Sequence, residues 1–158
     1  MSYIYFETHL VTTVDDSSLS PLYIMYPIFY YTDKEAIFEI ITKNQSVLKL
    51  SKQKHSSNVI EMMLTYGGTD QRRQIVEEIL NCVCVDQTYE RSKNAVLSMA
   101  EDQFANYVLR TAIDVLGDCP LRGRLFSMLV SNLDDLERSP YAKQIVLRVK
   151  TYMQESSY

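Results

Sequence analysis

The sequence predicts an all-α fold: a short helical-repeat solenoid of about two full repeats with flanking half-repeats. Three observations predict it. Glycine and proline number only 4 each in 158 residues, so long stretches carry no helix breaker. From Asp33 onward, apolar residues recur at helical spacing. The order short helix, long helix, long helix also occurs twice, with a half-unit at each end, which is how a stacked array is written in a chain.

The elements can be justified in turn. Residues 1–31 stand apart. They hold six of the 12 tyrosines, and "YIYFETHLVTTV" has strand-forming composition. "DDSSLSP" is loop-like, and Pro27 breaks or kinks the apolar run "LYIMYPIFYY". This segment is either a cap or a degenerate repeat, and the repeat domain spans residues 32–155. Asp33 can cap "KEAIFEIITKN", where Ile37, Ile40 and Ile41 form a stripe. "SVLKLSKQ" is a short helix. "SSNVIEMMLTYGG" is a longer one, its end marked by Gly67 and Gly68, residues suited to left-handed backbone. Thr69 or Asp70 opens "QRRQIVEEILNCV", with Ile75, Val76, Ile79 and Leu80 on one face. "CVDQTYERSK" reads as a polar loop. "NAVLSMAED", "FANYVLRTAIDVLG" and "LRGRLFSMLVSNL" then repeat the short-long-long order. A last helix runs from about Pro140 to Met153, with Pro140 in its first turn.

Spacing supports the repeat. Leu22 and Ser57 lie 35 residues apart, as do Asn106 and Tyr141, whereas Ser57 and Asn106 lie 49 apart. A period near 35 with one insertion around Asn81 to Asn94 accounts for all three intervals.

"HSSNVIEMML" and "QFANYVLRTAI" are the two matched helices. Ser57, Asn58 and Glu61 correspond to Asn106, Tyr107 and Arg110. Residues i, i+1 and i+4 of a helix, which turns about 100° per residue, share a face. Val59, Met63, Val108 and Ala112 fall opposite. Each residue has an ordinary explanation: Ser56 or Ser57 as an N-cap, Glu61 as a solvated carboxylate, Tyr107 as half-buried core. The repetition of a polar tripod at equivalent places is what favours a binding face.

These helices resemble repeats of the Pumilio (PUF) RNA-binding family. "SSNVIEMML" is similar to its seventh repeat, in which an S-N-x-x-E tripod reads one base. "DQFANYVLRTAIDV" is similar to its eighth, and "SPYAKQIVLRVKTYM" to its closing half-repeat. The resemblance covers about Asp33 to Met153 and implies an armadillo-like, right-handed superhelix reading single-stranded RNA one base per repeat. A carboxylate accepts two hydrogen bonds side by side, and guanine offers two adjacent donors, so Glu61 suits guanine, with Ser57 beside it. Asn58 and Tyr107 suit stacking. The family's usual N-Y-x-x-Q is here Asn106, Tyr107 and Arg110. Arginine only donates, so this repeat reads uracil, cytosine or either, with uracil-guanine the first expectation. Leu22 cannot bond a base edge. Tyr23, Tyr26 and Tyr141 are candidate weak RNA contacts, Tyr141 more as a cap.

Composition sets the limits. Lys and Arg total 16 against 20 Asp and Glu, a formal charge of −4, which disfavours indiscriminate binding to nucleic acid. Two stacked bases support only weak binding by the chain alone. Cys82, Cys84 and Cys119 with two histidines are a poor match to a metal site, and no cofactor is expected. No nucleophile–base set or phosphate loop is present, which argues against an enzyme. No apolar run suits a membrane span, and the first residues lack a signal peptide's pattern. The expected setting is cytoplasmic, with single-stranded mRNA as partner, regulatory proteins on the convex face and no small-molecule substrate. The competing reading is a protein-binding helical scaffold.

Overall fold

The computed structural model describes residues 33–84 and 93–155, and within them nine α-helices. They are α1 (Lys34–Thr42), α2 (Val47–Ser51), α3 (Ser56–Tyr66), α4 (Thr69–Asn81), α5 (Ala95–Ala100), α6 (Ala105–Val115), α7 (Pro120–Val130), α8 (Leu133–Arg138) and α9 (Lys143–Glu155). The readings of residues 1–31, including Tyr23 and Tyr26, lie outside the described residues.

Local chemistry sets most boundaries. Asp33 caps α1 as expected: its Oδ1 accepts from the amides of Glu35 (3.0 Å) and Ala36 (3.4 Å). Asn94 does the same for α5, accepting from the Val96 amide at 2.9 Å. Glu78, on α4, reaches across to accept from the Val47 amide at 2.8 Å and so caps α2 from outside the helix.

The glycine expectation needs correction. Gly67 and Gly68 have φ of −71° and −66°, both ordinary for any residue. Gly67 is there because of close approach: a methyl group would overlap the Met63 carbonyl oxygen and lie 3.0 Å from Gln71 Oε1. Among the described residues, left-handed backbone falls instead on Asn44 and Gln45, in a 3-10 turn between α1 and α2. Gln71 turns back to accept from the Gly68 amide at 2.9 Å and donates to Glu35 at 2.9 Å, tying α4 to α1.

Two further corrections concern the second half. The polar loop begins and ends in a minimal antiparallel pair, Val83–Cys84 with Lys93–Asn94, registered Val83 to Asn94 and Cys84 to Lys93. It lies where the insertion was expected. The last helix starts at Lys143, not Pro140, and "LDDLER" forms a separate helix, α8. The first-turn proline is Pro120, which opens α7.

The helices stack in rows. α3, α6 and α9 pack side by side, and the α3–α6 pairing is the most extensive among the described helices. α1, α4 and α7 form a second row, with the short helices wedged between. One continuous core results. It takes in Ile37 and Ile41 from α1, Met62, Met63 and Leu64 from α3, all four expected residues of α4, Val108 and Ala112 from α6, and Phe126 from α7. Phe126 stacks on Tyr152 of α9 with ring centroids 3.9 Å apart, which locks the last helix to the repeat before it.

Burial also gives the true spacing of the closing half-repeat. Ala105, Val108 and Ala112 correspond to Ala142, Ile145 and Val149, and Met99 corresponds to Leu136. The offset is 37 residues rather than 35. Tyr141, exposed and ahead of α9, therefore leaves the tripod. The equivalent positions become Lys143, Gln144 and Leu147.

Candidate nucleic-acid interface

The polar start of α3 is not helix-capping chemistry. The N-cap position is His55, and its side chain caps nothing. The amides of Ser57 and Asn58 bond to the carbonyls of Gln53 (3.0 Å) and His55 (3.2 Å), so the connecting turn satisfies them. Both serine hydroxyls donate rather than accept. Ser56 Oγ bonds the Leu50 carbonyl at 2.7 Å, and Ser57 Oγ bonds the Lys54 carbonyl at 3.3 Å. The equivalent start of α6 repeats this turn, with the Asn106 and Tyr107 amides bonded to the Asp102 and Phe104 carbonyls, and adds a side-chain cap. Asp102 Oδ1 accepts from the amides of Phe104 and Ala105, both at 2.9 Å. Asn106 Nδ2 donates to the Asp102 carbonyl at 2.7 Å, which leaves its carbonyl oxygen as the acceptor it offers.

The two tripods share a layered geometry. The leading residues, Ser57 and Asn106, are only 4% and 8% exposed. The middle residues lie further out: Asn58 is half-buried and Tyr107 is 47% exposed. Glu61 and Arg110 are half-buried one turn on. Behind them, Met63, Val108 and Ala112 are fully buried and Val59 is half-buried, so the helices are held from the opposite side as expected.

Glu61 sits against the next repeat. Thr111 Oγ1, on α6, donates to Glu61 Oε2 at 3.3 Å. Burial raises the Glu61 pKa above the ordinary glutamate value, while the Thr111 hydrogen bond and the nearby Arg110 charge pull it back down. Arg110 itself lies over the Tyr107 ring, its guanidinium carbon 4.9 Å from the centroid. One face of Tyr107 is thus occupied by its own helix, which the sequence pattern does not reveal. Thr111 also escapes the sequence reading. Its signal is its place beside Arg110, 50 residues beyond Glu61, in a repeat whose helices lie 49 apart.

In the closing half-repeat the tripod positions carry Lys143, Gln144 and a 58% exposed Leu147. Ala142 and Ile145 are buried and offer nothing to a ligand. Arg148 instead ties α9 to α6 through two 2.7 Å bonds to the Asp114 carboxylate. Cys82 and Cys119 are partly buried thiols. Among the described residues, no three His, Cys, Asp or Glu side chains cluster as metal ligands, and no helix is long and apolar enough to cross a membrane.

Residues 46–80 and 95–129 each match the model of the Pumilio-family RNA binding repeat. The chain carries two Pumilio-family repeats. The two segments place the tripods at the same position within each repeat, and the gap between them coincides with the insertion. Among Pumilio relatives, the chain is 34% identical over 91 residues to the mRNA-binding protein PUF3 of Saccharomyces cerevisiae, covering 52% of this chain and 9% of that protein. It is 28% identical over 149 residues to Pumilio homolog 12 of Arabidopsis thaliana, covering 87% of this chain and 22% of that protein. The crystal structure of PUF-8 in complex with PBE-RNA is similar at a TM-score of 0.65 and 26% identity, over 83% of this chain and 36% of that one. The chain therefore spans less than a quarter of the length of these curated relatives. The likeness of fold confirms the all-α helical-repeat solenoid.

Proposed function

We propose that the chain binds single-stranded RNA along the row formed by α3, α6 and α9, reading guanine with Ser57, Asn58 and Glu61 and a pyrimidine with Asn106, Tyr107 and Arg110. One observation carries this reading: two stacked helices present the same layered tripod, a recessed polar group, an outer stacking group and a half-buried charge, on the same face. Glu61 is the sharpest element, because its two oxygens complement the paired N1–H and N2–H donors of guanine. Arg110 donates to the carbonyl oxygens of uracil or cytosine while it braces Tyr107.

The relatives named for mRNA and RNA binding support this class of ligand. The setting we propose is cytoplasmic control of messages through their 3′ untranslated regions, with regulatory proteins held on the opposite row of helices. Two bases at about 1–3 kcal/mol of stacking each, less the ordering they require, give micromolar or weaker binding for these repeats alone.

A titration tests the proposal. Short RNAs with a uracil-guanine core and scrambled controls are compared at two salt concentrations. The expected result is a several-fold preference for the uracil-guanine core that persists at the higher salt, because base-edge contacts release few counterions. Equal affinity for both cores would refute base reading. No RNA binding at either salt would instead favour a protein-binding scaffold.

A further inference from the structure

The Glu61 carboxylate is not set by its own repeat alone. Threonines within helices commonly return their hydroxyl to the carbonyl four residues back, and Thr42, Thr65 and Thr151 do so, to Phe38, Glu61 and Leu147. Thr111 sits mid-helix in α6, yet its hydroxyl crosses to α3 and donates to Glu61 Oε2. A carboxylate oxygen has two acceptor positions, so Oε2 can hold this bond and still accept a base proton. The bond restricts rotation of the carboxylate about its last torsion, which is otherwise broad.

We propose that Thr111 is a specificity-determining positioning residue: by holding Oε2 from the adjacent repeat, it aligns the Glu61 carboxylate for two-pronged recognition of guanine. This rests on the reading of Glu61 as the guanine contact. Recognition of one base is then shared between two repeats, and α6 carries groups that serve both bases. Arg110, the charged group on α6 that acts on Glu61, favours the same ionised state.

The test compares Thr111→Val and Thr111→Ser with the intact chain, using short RNAs with guanine, inosine or adenine at the read position. Inosine keeps N1–H and lacks the N2 amine, so the guanine-to-inosine ratio measures alignment of the second prong. In Thr111→Val that ratio should fall about fivefold, the scale of one ordinary net hydrogen bond, while affinity for adenine RNA is unchanged. Thr111→Ser should keep the ratio. A pH series supplies a readout that mere packing would not move. Without the hydroxyl, the pH at which guanine preference appears should shift upward in Thr111→Val, since one of the two influences lowering the Glu61 pKa is gone. Thr111→Ala makes the same comparison if circular dichroism shows that valine disturbs the α3–α6 packing. Thr111→Val with an unchanged ratio and pH profile, alongside a Glu61→Gln variant that loses guanine preference, overturns the role of Thr111 and leaves guanine reading intact. Absence of guanine preference in the unaltered chain overturns both.

Discussion

Gly67→Ala should destabilise the protein by roughly 2 kcal/mol even though its backbone angles permit alanine. At φ −71° and ψ 166° the position is ordinary for an L-residue, so backbone considerations alone predict a gain of about 0.4–1 kcal/mol from a less flexible unfolded chain. Steric fit reverses the sign. The added methyl would overlap the Met63 carbonyl oxygen and press on Gln71 Oε1. Met63 O is the acceptor of the Gly67 amide itself, at 2.9 Å, and Gln71 Oε1 the acceptor of the Gly68 amide, at 2.9 Å. Relief requires the chain to back away from both. Two hydrogen bonds at about 1 kcal/mol each, with backbone distortion of about 1 kcal/mol, outweigh the entropic gain. Gly123→Ala is the matched control. It sits on the exposed side of α7 with open space where its Cβ would go, so it should stabilise by roughly 0.5–1 kcal/mol. Urea unfolding of the three proteins, followed by far-ultraviolet circular dichroism, decides the matter. A Gly67→Ala midpoint at or above that of the unaltered chain would refute the close-approach explanation.

Other outcomes are expected. Glu61→Gln should abolish guanine preference, because its amide opposes a donor to a donor, yet leave the protein as stable as before or more so at neutral pH; a clear fall in melting temperature would contradict this. The sign follows from burial: a carboxylate whose folded pKa is raised contributes stability below its unfolded value, near 4.5, that is lost as pH rises through the folded value. Glu78 is raised in the same direction by burial, with the Val47 amide opposing, so the double variant Glu61→Gln/Glu78→Gln should flatten the decline in melting temperature as pH rises above about 4.5; an unchanged decline would place its origin elsewhere. Arg148→Ala removes both bonds to Asp114 at a pair partly open to solvent; about 1 kcal/mol corresponds to a melting shift of roughly 2–4 °C, and no shift would show that the pair is slack. Tyr107→Ala should weaken RNA binding about tenfold, within the range of one stacked base, with equal loss for guanine and inosine RNAs; a selective loss would place Tyr107 on the base edge instead.

Much of this protein is legible in its sequence because repetition is a one-dimensional signal. A polar tripod recurring 49 residues apart, apolar stripes at helical spacing and a capping aspartate are local features. Asp33, the α4 stripe and the paired tripods all stand in the structure where the pattern puts them. What fails is whatever depends on a neighbour distant in the chain or on packing. Composition explains Gly67 by its freedom, but the crowding of its Cβ position by Met63 and Gln71 is the actual reason for it. The spacing of the closing half-repeat follows the buried face of α9, not the repeat length, and that moves Tyr141 out of the tripod. Glu61 is legible as a carboxylate on a helix face. That its charge is half-buried and held by Thr111 of the next repeat is not, because only the stacking of α3 on α6 brings residues 50 positions apart within hydrogen-bonding distance. Sequence by itself determined the helices, their repetition and the residue types on the proposed RNA-binding face. The tertiary structure decided which of those residues are recessed, which are braced, and which repeat each one serves.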